Sequence, residues 1–223
     1  MDIQFISKYL PMYVEAARLT VFIAFIGILF SVLLGFICSL IRYIKIPILH
    51  KIVDIYIELS RNTPLLIQLF FLYFGLPKIG IRLSSESCAI AGLVFLGGSY
   101  MAEAFRSGLE SIPNIQRESG LSIGLTKMQV FLYIILPQAV TVSIPAFSAN
   151  VIFLIKETSV FSAVALADLM YVAKDLIGLY YKTDEALLML VMAYLVILLP
   201  VSIIFTLIER KMRYAGFGNQ SSF

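Results

Sequence analysis

Apolar residues run in long blocks along this chain, and polar positions are gathered into short intervals between them. Leu19 to Ile41 is 23 residues without a charge, Met128 to Ile155 is 28, and Ala186 to Ile208 is 23. Each exceeds the roughly 20 residues that carry a helix across a hydrocarbon layer of about 30 Å. Asn62 to Pro77 and Ser87 to Ala102 have 16 uncharged residues each, so each must borrow a polar flank to reach that length. The pattern predicts an all-α integral membrane protein with five transmembrane helices, over residues 19–41, 52–76, 88–108, 138–156 and 186–208. Residues 1–223 are expected to form a single membrane domain, without internal repeats or a long linker.

Two features refine this pattern. Val160 to Leu179 is apolar in character but holds Asp168, Lys174 and Asp175, which fits an interfacial or partly re-entrant helix better than a sixth crossing. The first block follows Asp2, Lys8, Glu15 and Arg18 rather than a short basic leader, and it is long for a cleaved signal core, so it is expected to stay as a span.

Charge then sets the orientation. With the N-terminus outside, the segments facing the cytoplasm hold Arg42, Lys45, Lys51, Arg106, Arg117, Lys127, Arg210, Lys211 and Arg213, against Lys8, Arg18, Lys78, Arg82, Lys174 and Lys182 outside. That bias follows the positive-inside rule and places the C-terminus in the cytoplasm. It also makes the connection between spans 3 and 4, residues 110–137, cytoplasmic. The net charge of +3 is too small and too dispersed for a nucleic-acid surface. Composition agrees with the block pattern: 60% of residues are hydrophobic, 14% are charged, and mean hydropathy is +0.94.

Several polar residues fall inside the predicted membrane region. Glu58, Arg61 and Asn62 stand at i, i+3 and i+4, on one helix face. Counting from Lys51 at about 1.5 Å per residue, Asn62 lies about 16 Å in, near mid-bilayer. An unpaired charge facing lipid there costs about 2.5–3.5 kcal/mol, so these groups face protein or a wet cavity. Thr63-Pro64 follows at once, and proline removes a backbone donor and kinks the helix, as suits a solute pathway. An internal Glu58–Arg61 pair that locks span 2 to a neighbour is the other reading. Glu103 and Arg106 form a second i, i+3 pair after the small residues Gly92, Gly97, Gly98 and Ser99, which permit close helix contact. Lys156 and Glu157 end span 4 shortly after Asn150, as an interfacial anchor or as part of an outer gate.

Other chemistry is missing from the sequence. His50 is the one histidine, and Cys38 and Cys88 lie far apart in apolar surroundings, so neither a metal site nor a disulfide framework is suggested. No nucleophile elbow and no phosphate-binding glycine loop ending in Lys-Ser or Lys-Thr is present. The chain is therefore expected to be a transport protein rather than an enzyme, with no cofactor of its own, and uphill transport would draw on a partner or an ion gradient.

One polar interval has a distinctive spacing. Glu118-Ser119-Gly120 is followed after three residues by Gly124, and after nine more by Ile134-Ile135-Leu136-Pro137. This resembles the cytoplasmic loop signature of permease subunits of bacterial ABC importers: Glu-Ala-Ala, three residues, Gly, nine residues, Ile-x-Leu-Pro. Ser119 and Gly120 stand where alanines are usual; they keep the small size but lose helix propensity, by about 1 kcal/mol for glycine. Further stretches resemble the polar amino acid branch of that family, the histidine, glutamine and arginine type: "ELSRNTPLLIQLFFLYFGLP" (58–77), "SYMAEAFRSGLESIPNIQ" (99–116), "ILPQA" (135–139) and "IKETSVFSAVALADL" (155–169). Together with the loop they cover about half the chain in order.

The resemblance implies the type I ABC importer permease fold in a multi-pass protein of the bacterial cytoplasmic (inner) membrane. It implies a second permease as partner, the same chain or a similar one. It also implies a pair of ABC ATP-binding subunits that hold ATP and magnesium, and an extracytoplasmic amino acid binding protein. The 110–137 loop would couple to the ATPases: Glu118 offers a charge to a partner groove, Leu121, Ile123 and Leu125 seat the knob, Gly124 permits its turn, and Pro137 marks where the loop helix gives way to the next span. For the amino acid, carboxylate and ammonium need opposite charges, and Arg61, Lys156, Glu58, Glu103 and Glu157 supply both signs, with Asn62 as a neutral hydrogen-bonding group. An ion-coupled transporter or channel acting without ATPase subunits is the alternative.

Overall fold

The computed structural model describes residues 1–216, with side chains through Met212. Of the basic tail residues named above, the Arg213 side chain lies outside the described residues. Among the described residues every regular element is a helix. Helices α1 (Ile3–Ile44), α4 (Ser85–Glu110), α7 (Leu136–Glu157) and α9 (Thr183–Gly216) are the long elements. Between them lie α2 (Pro47–Arg61), α3 (Leu65–Phe70), α5 (Asn114–Ser122), α6 (Lys127–Val130) and α8 (Leu169–Tyr180). Among the described residues, four helical stretches are long and apolar enough to cross a membrane: Ile3–Ile44, Ser85–Glu110, Lys127–Val164 and Thr183–Met212.

The segment expected as one kinked crossing over 52–76 is two helices. α2 ends at Arg61, Asn62 caps it, and Pro64 in extended conformation (φ −61°, ψ 142°) starts α3. The physical reason is additive: proline bars a helical predecessor, and Thr63 satisfies the Leu59 carbonyl with its own hydroxyl, so no continuous ladder is needed. From Phe71 the chain passes through a wide π turn to Gly75 and a tight 3-10 turn, Leu76–Ile79, before Gly80 reverses it at φ 89°.

The stretch around Pro137 departs from expectation in the opposite sense. Helix continues through it, because Phe131–Ile135 forms a π turn closed by Leu136 N–H to the Phe131 carbonyl. Proline lacks an N–H and crowds the carbonyl four residues back, and a widened turn accommodates both defects without a break. Loop helix and span 4 are thus one helical run, Lys127–Val164, rather than two elements divided at Pro137. The 160–179 segment divides as well. A 3-10 run, Thr158–Val164, ends at Ala165 (φ 57°), and Asp168 caps α8.

α4 is the centre of the bundle. It lies along α1 at very short range: a Cβ on Gly35 would stand 2.4 Å from the Met101 Cβ, and one on Gly97 2.3 Å from Ser31 Oγ. Small residues spaced by four let the two backbones approach, and the Ser31 hydroxyl turns back to the Gly27 carbonyl (2.7 Å). Around this pair Ile23, Leu65, Leu69, Leu93, Leu154, Phe161 and Val164 form the main apolar core, so α3, α7 and the 3-10 run all close on α4.

At the Asp2 end of the bundle, the start of α1 is tied to the α8–α9 hairpin. Asp2 N–H donates to Glu185 Oε1 (2.8 Å), Lys182 Nζ reaches Asp2 Oδ2 (3.3 Å), and the Tyr13 hydroxyl donates to the Ala186 carbonyl (2.7 Å). Phe5, Tyr9 and Tyr180 stack beside these contacts. The opposite end carries Arg42, the start of α2, the end of α4, and α5–α6.

Candidate functional site

The break between α2 and α3 places unusual chemistry at mid-height of the bundle. On its protein side, the Ser60 and Tyr56 hydroxyls both donate to the Phe95 carbonyl at 2.8 Å, fixing α2 against the middle of α4. The carbonyls freed by the break are collected by Gln68, whose Nε2 donates to the Ser60 (3.2 Å) and Thr63 (3.1 Å) oxygens. The Asn62 amide is also spent on the backbone, its Nδ2 donating at 2.8 Å to the Glu58 carbonyl, which accepts the Asn62 backbone N–H as well. Glu58, Arg61, Asn62 and Thr63 are exposed on the surface of the chain.

Glu58 and Arg61, paired by spacing in the sequence, do not pair in space. Arg61 turns instead toward α4: its guanidinium lies 5.2 Å from the centre of the Tyr100 ring, and its Nη1 is 3.9 Å from Glu103 Oε2. Among the described residues no cation lies within 4 Å of the Glu58 carboxylate.

Glu103 is the hub of the charged cluster. Arg42 Nη1 binds its Oε1, and Arg106 binds its Oε2 through Nε (3.1 Å) and Nη2 (2.6 Å). Arg106 also reaches Glu110, one turn further along α4. Arg42 Nε lies 2.9 Å from Asp54 Oδ1, an ion contact without hydrogen-bond alignment, and His50 Nδ1 lies 2.8 Å from Asp54 Oδ2. The cluster thus ties the end of α1 and the start of α2 to α4. The i, i+3 spacing of Glu103 and Arg106 signals their pair in the sequence; Arg42 had no such signal, since its partners are 12 and 61 residues away.

α7 completes the surroundings of Tyr100. Asn150 Nδ2 donates to the Tyr100 carbonyl (3.0 Å), and the Phe153 ring lies 5.0 Å from the Tyr100 ring. Glu157 is four residues beyond Phe153 and seven beyond Asn150, so by helical register it continues this face about 10 Å along α7. It is half-buried, and among the described residues no cation lies within 4 Å of it. Lys156, one residue earlier, is exposed and lines a separate open cleft of about 390 Å³ with Met170, Leu190, Tyr194 and Leu195. Of the six residues named from sequence, Arg61 and Glu103 approach to 3.9 Å, Glu157 falls on the Asn150–Phe153 face, Asn62 caps α2, and Glu58 and Lys156 stand apart. Tyr100, Asn150 and Gln68 join the site through contacts that spacing alone does not reveal. Among the described residues, no group of three His, Cys, Asp or Glu side chains is placed to hold a metal ion.

The polar interval 110–137 folds as a compact knob. α5 ends in a Schellman turn: Leu125 N–H donates to the Gly120 carbonyl (3.2 Å), Gly124 N–H donates to the Leu121 carbonyl (3.0 Å), and Gly124 has φ 87°. Only glycine takes that conformation without strain. Thr126 then opens α6 with a capping box to Gln129. Val130 and Ile135 bury against Leu109 and Ala139, with Leu125 and Tyr43 packed beside them, so the knob is anchored to α4 and α7. Its outer surface shows Ile115 and Ile123, 63% and 77% exposed, together with exposed Arg117 and Glu118. Ser119 is also exposed, and Leu121 is 38% exposed. Gly120 is buried, and Pro137 lies within the helical run.

Comparison with known proteins matches this fold. Residues 27–214 fit the family described as "Binding-protein-dependent transport system inner membrane component". A probable amino-acid permease protein of Bacillus subtilis, YxeN, is 36% identical over 95% of this chain and 96% of its own. A probable glutamine ABC transporter permease of the same organism is 35% identical over 77% of this chain and 79% of its own. Among solved structures, an amino acid ABC transporter crystallised with histidines superposes with a TM-score of 0.89 at 28% identity, covering 95% of this chain and 99% of that one. The chain therefore has the ABC importer permease fold and belongs to the family of inner membrane components of binding-protein-dependent transport systems.

Proposed function

We propose that this chain is the permease subunit of an ABC importer for a polar L-amino acid. The observation that carries the reading is Arg61: a guanidinium at mid-height of a membrane bundle, 43% exposed, laid over an aromatic ring, with its nearest carboxylate oxygen 3.9 Å away. A cation left this loosely held, beside a helix break, suits the carboxylate of an incoming solute. Glu157 on the Asn150–Phe153 face is the carboxylate best disposed toward an ammonium group, with Glu58 and Lys156 at the margins. The names of similar proteins, amino-acid and glutamine permeases among them, support the substrate class.

Partners follow from the same reading. The exposed Glu58–Arg61–Asn62 face would be costly against lipid at that depth, which favours a second permease, the same chain or a similar one, that shields it from lipid across a wet cavity. The 110–137 knob is cytoplasmic in this reading and docks a pair of ATP-binding subunits, which hold ATP and magnesium; the chain itself carries no cofactor and catalyses no reaction. An extracytoplasmic binding protein delivers the amino acid at the Asp2 end, and closure of the ATPase pair drives alternating access.

The test is reconstitution in proteoliposomes with the ATPase and receptor subunits. Amino acid uptake is expected to require ATP and both partners, and Arg61→Gln is expected to lower it at least tenfold, the loss of about one charge-assisted contact. Uptake by the permease alone, driven by an ion gradient, would instead establish an ion-coupled transporter or channel.

A further inference from the structure

We infer that Arg42 is a positioning residue that keeps Arg61 open for a ligand carboxylate, an inference that rests on the role given to Arg61 above. Three guanidinium groups surround Glu103, but two of them hold it. Arg42 occupies Oε1, and Arg106 occupies Oε2 with two donors. Arg61, at 3.9 Å from Oε2, is outside hydrogen-bonding range, and that oxygen already accepts two Arg106 donors while Arg42 holds Oε1.

The contacts, rather than the charge balance of three arginines and three carboxylates, make this arrangement specific. Asp54, Glu103 and Glu110 supply three carboxylates, and Arg42 and Arg106 between them contact all three, with His50 on the second Asp54 oxygen. Arg61 is the arginine of the cluster whose carboxylate contact, at 3.9 Å, is too long for a hydrogen bond. Remove Arg42, and Glu103 Oε1 loses its donor while the Arg61 guanidinium, 43% exposed, stands 3.9 Å from the other oxygen. Glu103 then closes on Arg61, and a solute carboxylate must compete with an internal one.

Arginine is needed at position 42 for a geometric reason. Its Nε faces Asp54 on α2 while Nη1 faces Glu103 on α4, so one planar group serves two carboxylates on two helices. A lysine ammonium is a single point and holds one of them at a time. The side chains of Arg42 and Glu103 are each only 20% exposed, so water offers Glu103 little replacement for the lost donor.

Chemical modification reads Arg61 directly and needs no knowledge of the substrate. The assembled complex in nanodiscs is treated with phenylglyoxal, which attacks unpaired guanidinium groups, and modification of Arg61 is followed by mass spectrometry of its peptide. In the wild type Arg61 is expected to react faster than Arg42 or Arg106. Arg42→Gln is expected to slow Arg61 about fivefold, the protection given by one partly exposed ion pair. Adding Glu103→Gln to that variant is expected to restore the wild-type rate. A purely structural role for Arg42 predicts no such restoration. Wild-type reactivity of Arg61 in Arg42→Gln, or equal slowing in the single and double variants, would overturn the inference. Should Arg42→Gln not assemble, Arg42→Lys carries the same test: Arg61 must react more slowly than in the wild type, and an unchanged rate sinks the proposal. Failure of the substrate reading itself is seen separately, as unimpaired uptake by Arg61→Gln.

Discussion

Gly120 lies directly against Val130: a Cβ at position 120 would stand 2.8 Å from Val130 Cγ2 and 2.9 Å from Ile134 Cδ1. The loop signature that this interval resembles has alanine at position 120, and here the two knob helices are packed too closely to admit one. The Ile134 methyl can rotate away, but Val130 is β-branched, stiff and 1% exposed. Gly120→Ala therefore gains about 1 kcal/mol of helix propensity and loses roughly 1–3 kcal/mol to overpacking. The expected result is faster amide hydrogen exchange in 114–122 and weaker coupling of ATP hydrolysis to uptake. A second change, Val130→Ala, should return both toward wild type by restoring the small–large pairing. If the single variant exchanges as slowly as wild type, the close contact is not limiting.

The turn beside it tests conformation rather than volume. Gly124 has φ 87° and no atom within 4 Å of where a Cβ would lie, so a side chain there meets open space and pays only for the left-handed backbone. Gly124→Ala is expected to cost about 1–2 kcal/mol in the knob and leave insertion intact. Gly124→Asn, which tolerates this region, should cost less. The check is limited proteolysis of the 121–127 turn in the purified complex, with cleavage expected in the order alanine, asparagine, glycine. Equal resistance of all three would mean that partners, not the turn, hold the knob.

How far the sequence reaches can be seen at particular residues. Four of the five expected spans, 19–41, 88–108, 138–156 and 186–208, fall within helical stretches long and apolar enough to cross a membrane, while 52–76 is two shorter helices. The Glu-x-x-Arg spacing of Glu103 and Arg106 marks a pair because helix geometry is local. Arg61 shows the limit: the same local rule pairs it with Glu58, but a tertiary carboxylate and the Tyr100 face on α4 win it away. Arg42 reads in the sequence only as a topological charge at the end of an apolar run. Its role depends on Asp54 and Glu103 arriving from two other helices. Proline was legible as a disturbance but not in kind: Pro64 divides two helices, while Pro137 is absorbed by a π turn.

Gln68 holds the α2–α3 break in shape. Its Nε2 serves the Ser60 and Thr63 carbonyls, which the interrupted ladder leaves without donors. Gln68→Glu keeps the size but supplies no donor, and an unmet carbonyl in this setting costs about 1–3 kcal/mol. Uptake is expected to fall several-fold while the complex still assembles, because Arg61 stands between Ser60 and Thr63, the residues whose carbonyls Gln68 holds. Normal uptake together with a lowered melting temperature would show that the break serves packing alone.

Asp168 gives a pH dependence of predictable sign. It lies between the 3-10 run and α8, outside the spanning segments, where its Oδ1 accepts the Tyr171 N–H at 2.8 Å. The other oxygen is buried, with no hydrogen-bond partner among the described residues. Burial raises its pKa to about 6, against the partial relief of backbone donors at Tyr171 and Met170. An acid whose folded pKa lies above its unfolded value binds more protons when folded, so its ionised form opposes folding above about pH 6. That opposition is relieved as pH falls through this value toward the ordinary carboxylate range, and it is absent below. Asp168→Asn keeps a good N-cap and removes the charge. It is expected to stabilise the purified protein by roughly 2 kcal/mol at pH 8 and to make little difference near pH 4. Thermal unfolding across that range decides the matter: the gap between variant and wild type must narrow on acidification, and a constant gap would mean that Asp168 is ionised or neutral throughout.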